Sequence, residues 1–170
     1  MVSSMGAGQQ DPTIRFLVIY NKSGTNLTSC VIDRKRIPPF QVSHTGIKPK
    51  SFVVEMVTMF YGTDHEGEAH YLCAILNSNV LNIAIKSQQP RGLWGERDIT
   101  RIPFTFPIPR FDAKNKAHRE LASLSKECHI KVETLSVESK SIGRARTEVR
   151  NNLNKDLGRI DKLVSQLLDV

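Results

Sequence analysis

The side chains best suited to chemistry lie in one basic, proline-rich segment, residues 86–119. This segment holds eight basic residues against three acidic ones, a net +5 in a chain whose total is +7. Arginine forks two donors to a guanine edge or a phosphate, and glutamine does the same with an adenine edge. A tryptophan at the centre offers a ring for stacking. The pattern predicts contact with nucleic acid. The candidate DNA-binding residues of this segment are Lys86, Gln88, Gln89, Arg91, Trp94, Arg97 and Arg101.

A purely structural interpretation of this segment is also open. In that interpretation Trp94 fills the core beneath a solvated basic loop. Arg97 then pairs with a neighbouring acid, Glu96 or Asp98, in exposed ion pairs that add little stability.

A second candidate site is the short polar segment 22–26, KSGTN. Gly24 permits close approach of the backbone, and the flanking hydroxyl and amide groups suit phosphate contact. Lys22 and Ser23 are the DNA-binding candidates here. The alternative is an ordinary hairpin turn between two strands, which the same composition also favours.

Histidines and cysteines raise the question of a metal site. His65, His70 and Cys73 are close in sequence, and Cys128 and His129 supplement them. Their spacing matches no zinc pattern, so we expect an exposed histidine and a buried cysteine, and no metal.

Motifs of catalysis and cofactor binding are missing from the sequence. It contains no GxGxxG fingerprint, no GxxxxGK phosphate loop and no GxSxG nucleophile elbow. We therefore expect a chain that is not an enzyme and that needs no cofactor.

Composition places the chain among ordinary globular proteins. It has 170 residues, 39% of them hydrophobic, which suits one compact domain. Its three cysteines are odd in number and widely spaced, so we expect no disulfide framework and a reducing compartment. The first ten residues resemble no signal peptide, and the near-apolar residues 71–85 are too polar to span a bilayer. The expected location is cytoplasmic.

The hydrophobic patterning predicts strands first and helices later. Residues 14–20, 28–32 and 51–61 are rich in β-branched and aromatic residues and are predicted to be strands. Apolar residues then recur at helical spacing from residue 66 to 76, with Asp64 as the expected cap.

Ser78 is expected to cap a second, short helix. Residues 86–112 hold four prolines and are predicted to be extended, with one strand possible at 99–106.

From about residue 115 the chain becomes helical again, with a break at 141–143. The two apolar stripes predict an antiparallel helical hairpin. We predict an α+β fold: a small mixed or antiparallel sheet packed with helices, followed by the hairpin. The expected organisation is a disordered lead-in at 1–11, a DNA-recognition domain at 12–112, and the hairpin at 113–170.

Three segments carry a resemblance to a known family. They are HYLCAILNS at 70–78, GERDI at 95–99 and IPFTFPIPRFD at 102–112. Their order resembles the C-terminal target-recognition domain of TaqI-like N6-adenine DNA methyltransferases and the related fused restriction-modification enzymes. It resembles, more loosely, the specificity subunits of type I restriction systems.

The resemblance implies recognition of double-stranded DNA without methylation. In that family a separate domain binds S-adenosylmethionine and flips the adenine. The prolines of IPPF at 37–40 lack the amide of the family's catalytic motif. The implied partner is a separate methyltransferase catalytic subunit, and the alternative is that the chain is a relic of a longer enzyme.

A second functional hypothesis is a protein-interaction or oligomerisation module that acts through the C-terminal helices. Their apolar stripes have three candidate partners: the rest of the chain, a second copy in a homodimer, or the methyltransferase subunit. Packing within the chain is the expected outcome.

Overall fold

In the part of the chain that the structure describes, the fold consists of short antiparallel strands and four α-helices. A computed structural model describes residues 10–38, 52–55, 57–92, 95–96 and 98–169, with the backbone alone at residues 91, 92, 95 and 96. The order is β1 (Phe16–Asn21), β2 (Ser29–Asp33), β3 (Thr58–Thr63), α1 (Glu66–Asn77), α2 (Asn79–Lys86), β4 (Arg91–Gly92), β5 (Gly95–Glu96), α3 (Lys116–Glu133) and α4 (Ile142–Leu168). This confirms the predicted α+β class.

The main sheet has the order β2-β1-β3, and both pairings are antiparallel. β1 is central because it is apolar on both faces, as a doubly covered strand must be. Phe16 and Val18 lie in the main core, whereas Leu17 belongs to a smaller cluster on the other face. The first two predicted strands are thus confirmed.

The third strand lies later in the chain than the predicted 51–61. β3 begins at Thr58, and the described residues 52–55 are not in a strand. Phe52 and Val54 instead pack in the smaller cluster with Leu17 and Phe60. Their β-branched and aromatic character reflects burial, which the sequence pattern does not distinguish from pairing.

Gln10 fastens this covering segment to the start of the chain. Its Nε2 donates to the carbonyl of Val54 at 2.6 Å, and its Oε1 accepts from the Val54 N–H at 2.9 Å. Gln10 therefore packs into the fold, although it falls within the predicted lead-in. Residues 1–9 of that lead-in lie outside the described residues.

The two predicted helices after β3 are confirmed, but one predicted cap is wrong. α1 begins after His65, which makes no side-chain cap. The Asp64 carboxylate instead accepts the backbone N–H of Arg15 at 3.0 Å, which ties α1 to the start of β1. Ser78 caps α2 as predicted, because its hydroxyl accepts the N–H of Leu81.

The predicted strand at 99–106 is wrong. Residues Ile102–Thr105 form one turn of 3-10 helix, with a proline in its first positions. Proline fixes φ near the helical value and removes an N–H, so it favours this turn over a strand. The strands of this region are β4 and β5, which have two residues each and pair in antiparallel register.

The predicted helical hairpin is confirmed, and it packs within the chain. Asn115 caps α3 by accepting from the N–H groups of Ala117 and His118. Both helices bury their apolar stripes in the core that also holds the sheet and α1. In the described ranges, no helix is both long and apolar enough to cross a membrane.

Two isoleucines of α4 provide a matched test of this packing. Ile160 is 1% exposed and Ile142 is 73% exposed. Ile160→Ala should lower the free energy of unfolding by about 2–5 kcal/mol, because it opens a cavity in the core. Ile142→Ala should change it by less than about 0.5 kcal/mol. Urea titration measures both. Equal effects would contradict the packing of α4 described above.

Candidate nucleic-acid interface

The two predicted DNA-binding segments meet in the structure. Ser23 and Asp98 form an isolated antiparallel bridge. The carbonyl of Lys22 accepts the N–H of Ile99 at 2.9 Å and the N–H of Thr100 at 3.2 Å. Segments more than 70 residues apart in sequence thus form one surface. We call it the two-loop surface and define it as residues 22–26, 86–89 and 98–101.

Residues 22–26 are held by the side chain of Asn21. Its Nδ2 donates to the carbonyls of Ser23 at 2.9 Å and Asn26 at 3.0 Å, and its Oδ1 accepts the N–H of Thr28 at 2.8 Å. Gly24 has φ +132°, a backbone conformation that favours glycine. The segment is therefore a fixed loop with its backbone groups arranged in advance.

The second half of the surface is anchored by a buried isoleucine. Ile99 is 0% exposed, in a segment otherwise polar. Next to it, Thr100 has φ +27°, an outlier for a β-branched residue. The Tyr20 hydroxyl donates to the Thr100 carbonyl at 2.7 Å, which helps to hold this conformation. Burial raises the pKa of Tyr20, and the charge of Arg101 opposes that rise.

Gln89 joins the two halves. It is 6% exposed, and its Nε2 donates to the carbonyl of Gly24 at 3.3 Å and of Asp98 at 3.4 Å. Its Oε1 is buried and has no hydrogen-bond partner among the described residues. The amide that was a candidate for reading adenine therefore faces the protein, and Gln89 is a positioning residue of the loops.

The other candidates differ in their exposure. Ser23, Gln88 and Arg101 are exposed, and Lys22 and Lys86 are half-buried. Gln88 also accepts a hydrogen bond from the Thr105 hydroxyl at 3.2 Å. The side chain of Arg91 and the whole of Trp94 and Arg97 lie outside the described residues.

Sequence reasoning missed Asn21, Ile99 and Thr100 as the residues that shape this surface. Of the three, only Ile99 could have been identified from the sequence, because it is a single apolar residue in a polar segment. The geometry of Asn21 and Thr100 has no counterpart in the sequence pattern, since it depends on partners far away along the chain.

Asparagines in and after the HYLCAILNS segment, residues 70–78, form hydrogen bonds with the edge of the sheet. Asn77 exchanges two hydrogen bonds with the backbone of Ser29, at 3.0 and 2.8 Å. Asn82 accepts the N–H of Leu27 at 3.0 Å. Both asparagines satisfy backbone groups along the outer edge of β2 and its approach. Asn77, the one that belongs to the resemblance segment 70–78, therefore has a structural role here.

The IPFTFPIPRFD segment lies against α1 and α3. The Tyr71 hydroxyl donates to the carbonyl of Pro109 at 3.0 Å, and the rings of Tyr71, Phe111 and His118 pack together. His118 Nδ1 accepts the N–H of Asp112 at 3.0 Å. These contacts therefore hold residues 109–112 of the basic segment against α1 and α3.

Two of the histidines considered as metal ligands pack against each other. The rings of His70 and His129 are 5.0 Å apart, edge to face. His129 Nδ1 lies 2.8 Å from the Ser125 carbonyl, and its Nε2 accepts the N–H of Val31 at 2.9 Å. Among the described residues no group of three or more His, Cys, Asp or Glu side chains is placed to hold a metal ion.

Burial keeps the His70 ring neutral and the Cys73 thiol unreactive. Burial lowers the pKa of His70 to about 4, and the neighbouring His129 contributes to the shift. Burial also raises the pKa of the Cys73 thiol to about 12. Thiols react as thiolates, so the thiol of Cys73 is inert at neutral pH.

Comparison with protein families, with curated proteins and with solved structures finds no match to this chain.

His70 should make the stability depend on pH. Its pKa is about 4 in the fold and about 6.5 in an unfolded chain, so the unfolded state binds the additional proton between these values. Stability should be full above pH 6.5 and fall by roughly 3 kcal/mol as the pH drops to 4. His70→Gln should remove this part of the dependence in urea titrations.

Ser125→Ala is the control, because it removes the hydroxyl 3.2 Å from His70 Nδ1 and keeps the imidazole. It should lower stability at every pH and leave the slope in place. An unchanged slope in His70→Gln would show that His70 is not the titrating group.

Proposed function

We propose that this chain is a non-catalytic module that binds double-stranded DNA through the two-loop surface. The observation that carries the proposal is the junction of residues 22–26 with residues 98–100, through the Ser23–Asp98 bridge and the Lys22 carbonyl. Both halves were candidates on their residue types alone. Their junction supports a single contact area built from both segments.

Charge supports DNA as the ligand. Lys22, Lys86 and Arg101 contribute three cations to the two-loop surface, and Arg91 and Arg97 lie between its parts in sequence. Phosphate neutralisation by such side chains releases counterions and supplies most of the affinity of a DNA-binding surface. Ser23 and Thr25 add exposed hydroxyl groups suited to phosphate oxygens.

We propose that side chains other than Gln89 bind the base edges. Gln88 is exposed, and Arg91, Trp94 and Arg97 are the further candidates by residue type. Gln89 instead sets the distance between the loops. The proposed sequence-specific contacts are therefore fewer than residue types alone suggested.

The non-catalytic part of the proposal is supported by how the potentially reactive groups are engaged. His129 bonds β2, His118 bonds the backbone at Asp112, and Cys73 is buried in the core. We further propose, from the motif resemblance, that the module acts as a specificity domain beside a separate methyltransferase subunit.

Association through the C-terminal helices is the second candidate function. The central part of the α4 stripe, including Leu153, Ile160 and Val164, is buried within the chain. That burial favours DNA binding over a homodimer formed by the apolar stripe.

A duplex-binding measurement over a salt series tests the proposal. In fluorescence anisotropy, the wild-type affinity should fall linearly with salt on logarithmic axes. The double variant Lys22→Ala, Arg101→Ala should bind more weakly at low salt and should reduce the slope by about 2, since each lost phosphate contact removes about 0.9.

The control is Lys35→Ala, Lys126→Ala, which removes two exposed cations outside the two-loop surface. It should retain the wild-type slope. Salt-independent binding would overturn DNA binding, and equal losses in both double variants would overturn the site.

A further inference from the structure

The outer face of α4 has an unusual composition. The helix has 27 residues, or about 40 Å, and turns Leu153, Asp156, Ile160 and Val164 inward. The opposite face is exposed and made of short polar residues at helical spacing. Its centre consists of Thr147, Asn151, Asn154 and Gly158.

The acids of α4 are all engaged elsewhere. Glu148 pairs with Lys140, and Asp156 pairs with Lys131 at 2.6 Å. Asp161 accepts the backbone N–H of Asn79 at 2.7 Å, at the start of α2. The charges of Glu148 and Asp156 are thus compensated by bases outside the helix, whereas Asp161 keeps its negative charge at the edge of the outer face.

The bases of α4 are in the opposite situation. The helix carries six: Arg144, Arg146, Arg150, Lys155, Arg159 and Lys162. Within the part of the chain that the structure describes, only Arg159 forms an ion pair, with Glu120 at 3.3 Å. Five cations of the helix thus form no ion pair among the described residues and outnumber the one acid without an ion pair, Asp161. This excess makes the helix surface attractive to a polyanion.

Helical geometry places four of these five cations on the borders of the short polar face. At about 100° per residue, Arg144, Lys155 and Lys162 fall on one border and Arg150 on the other. Arg146, 18 residues before the buried Val164, projects on the side of the buried stripe. A shallow, open depression lies near the N-terminal end of this face, and its lining includes Arg144 and also Glu148, which is paired with Lys140. Long cationic side chains on both sides of a strip of short residues suit contact with the two phosphate backbones that border a DNA groove.

Gly158 lowers the centre of the face. A Cβ at this position would meet nothing within 4 Å, so no contact within the chain requires glycine there. Glycine in a helix interior is less favourable than alanine. Its presence on the outer face fits a ligand that approaches the backbone closely in a complex.

We infer that the outer face of α4 is a second duplex-binding surface, in which the short residues face a groove and the flanking cations contact phosphates. The inference rests on the proposed DNA-binding function and extends it to a separate element. An anionic membrane would attract the same cations. The helix cannot insert its apolar side, however, because Leu153 and Ile160 are already buried in the core.

The charge test is the triple variant Arg144→Ala, Lys155→Ala, Lys162→Ala. Duplex affinity at low salt should fall at least tenfold, and the salt slope should decrease by about 3. The matched control exchanges the same positions conservatively, Arg144→Lys, Lys155→Arg, Lys162→Arg, and should keep the wild-type slope. An unchanged slope in the alanine variant overturns the inference.

The shape test is Gly158→Gln, which places a longer side chain at the centre of the face. The open space predicts a melting temperature no lower than that of the wild type. Affinity should fall several-fold, because the side chain blocks close approach. Unchanged affinity would overturn the groove arrangement.

These outcomes separate the inference from the function on which it rests. If the Lys22 and Arg101 variant loses affinity and the α4 variant does not, the inference fails alone. If only the α4 variant loses affinity, the two-loop surface is the wrong assignment. If the wild type binds anionic vesicles of phosphatidylserine and phosphatidylcholine but no duplex, both fail.

Discussion

The carbonyl of Lys22 is the point on which the candidate site depends. It accepts N–H groups from both Ile99 and Thr100, while the Lys22 N–H donates to Val57 at 3.3 Å. One residue directly after β1 thereby joins the sheet, the segment before β3 and the irregular chain after α2. Without this junction the basic segment would have no fixed position relative to the loop at 22–26.

The same junction holds a strained backbone. Thr100, with φ +27°, lies in a region that costs roughly 1–3 kcal/mol for a non-glycine residue. The buried Ile99 beside it and the Tyr20 hydroxyl offset that cost by fixing the chain on either side. The core thus stabilises a loop conformation that the loop's own residues disfavour.

Much of the fold follows from the sequence pattern, because periodicity and capping are local. The observed elements match their patterns in strands β1 and β2 and in helices α1 to α4, and Ser78 caps α2 as predicted. The third strand does not match its predicted range. Phe52 and Val54 are apolar because they cover one face of the sheet, and they do not pair in it. The turn at Ile102–Thr105 was missed because the surrounding prolines indicated only extended chain.

The site was less predictable than the fold. Residue chemistry singled out both loops, but their contact joins irregular segments with no shared period. The role of Gln89 shows the difficulty most directly: an amide that could bind a base edge can equally bind two backbone carbonyls, and only its burial distinguishes these roles.

The central claim is that the two loops act as one DNA-binding surface, and NMR of the labelled chain titrated with a short duplex tests it most directly. The amide signals of residues 22–26 and 98–101 should shift together, over the same range of duplex concentration. Shifts confined to one loop, or absent from both while the duplex is bound, would contradict the account.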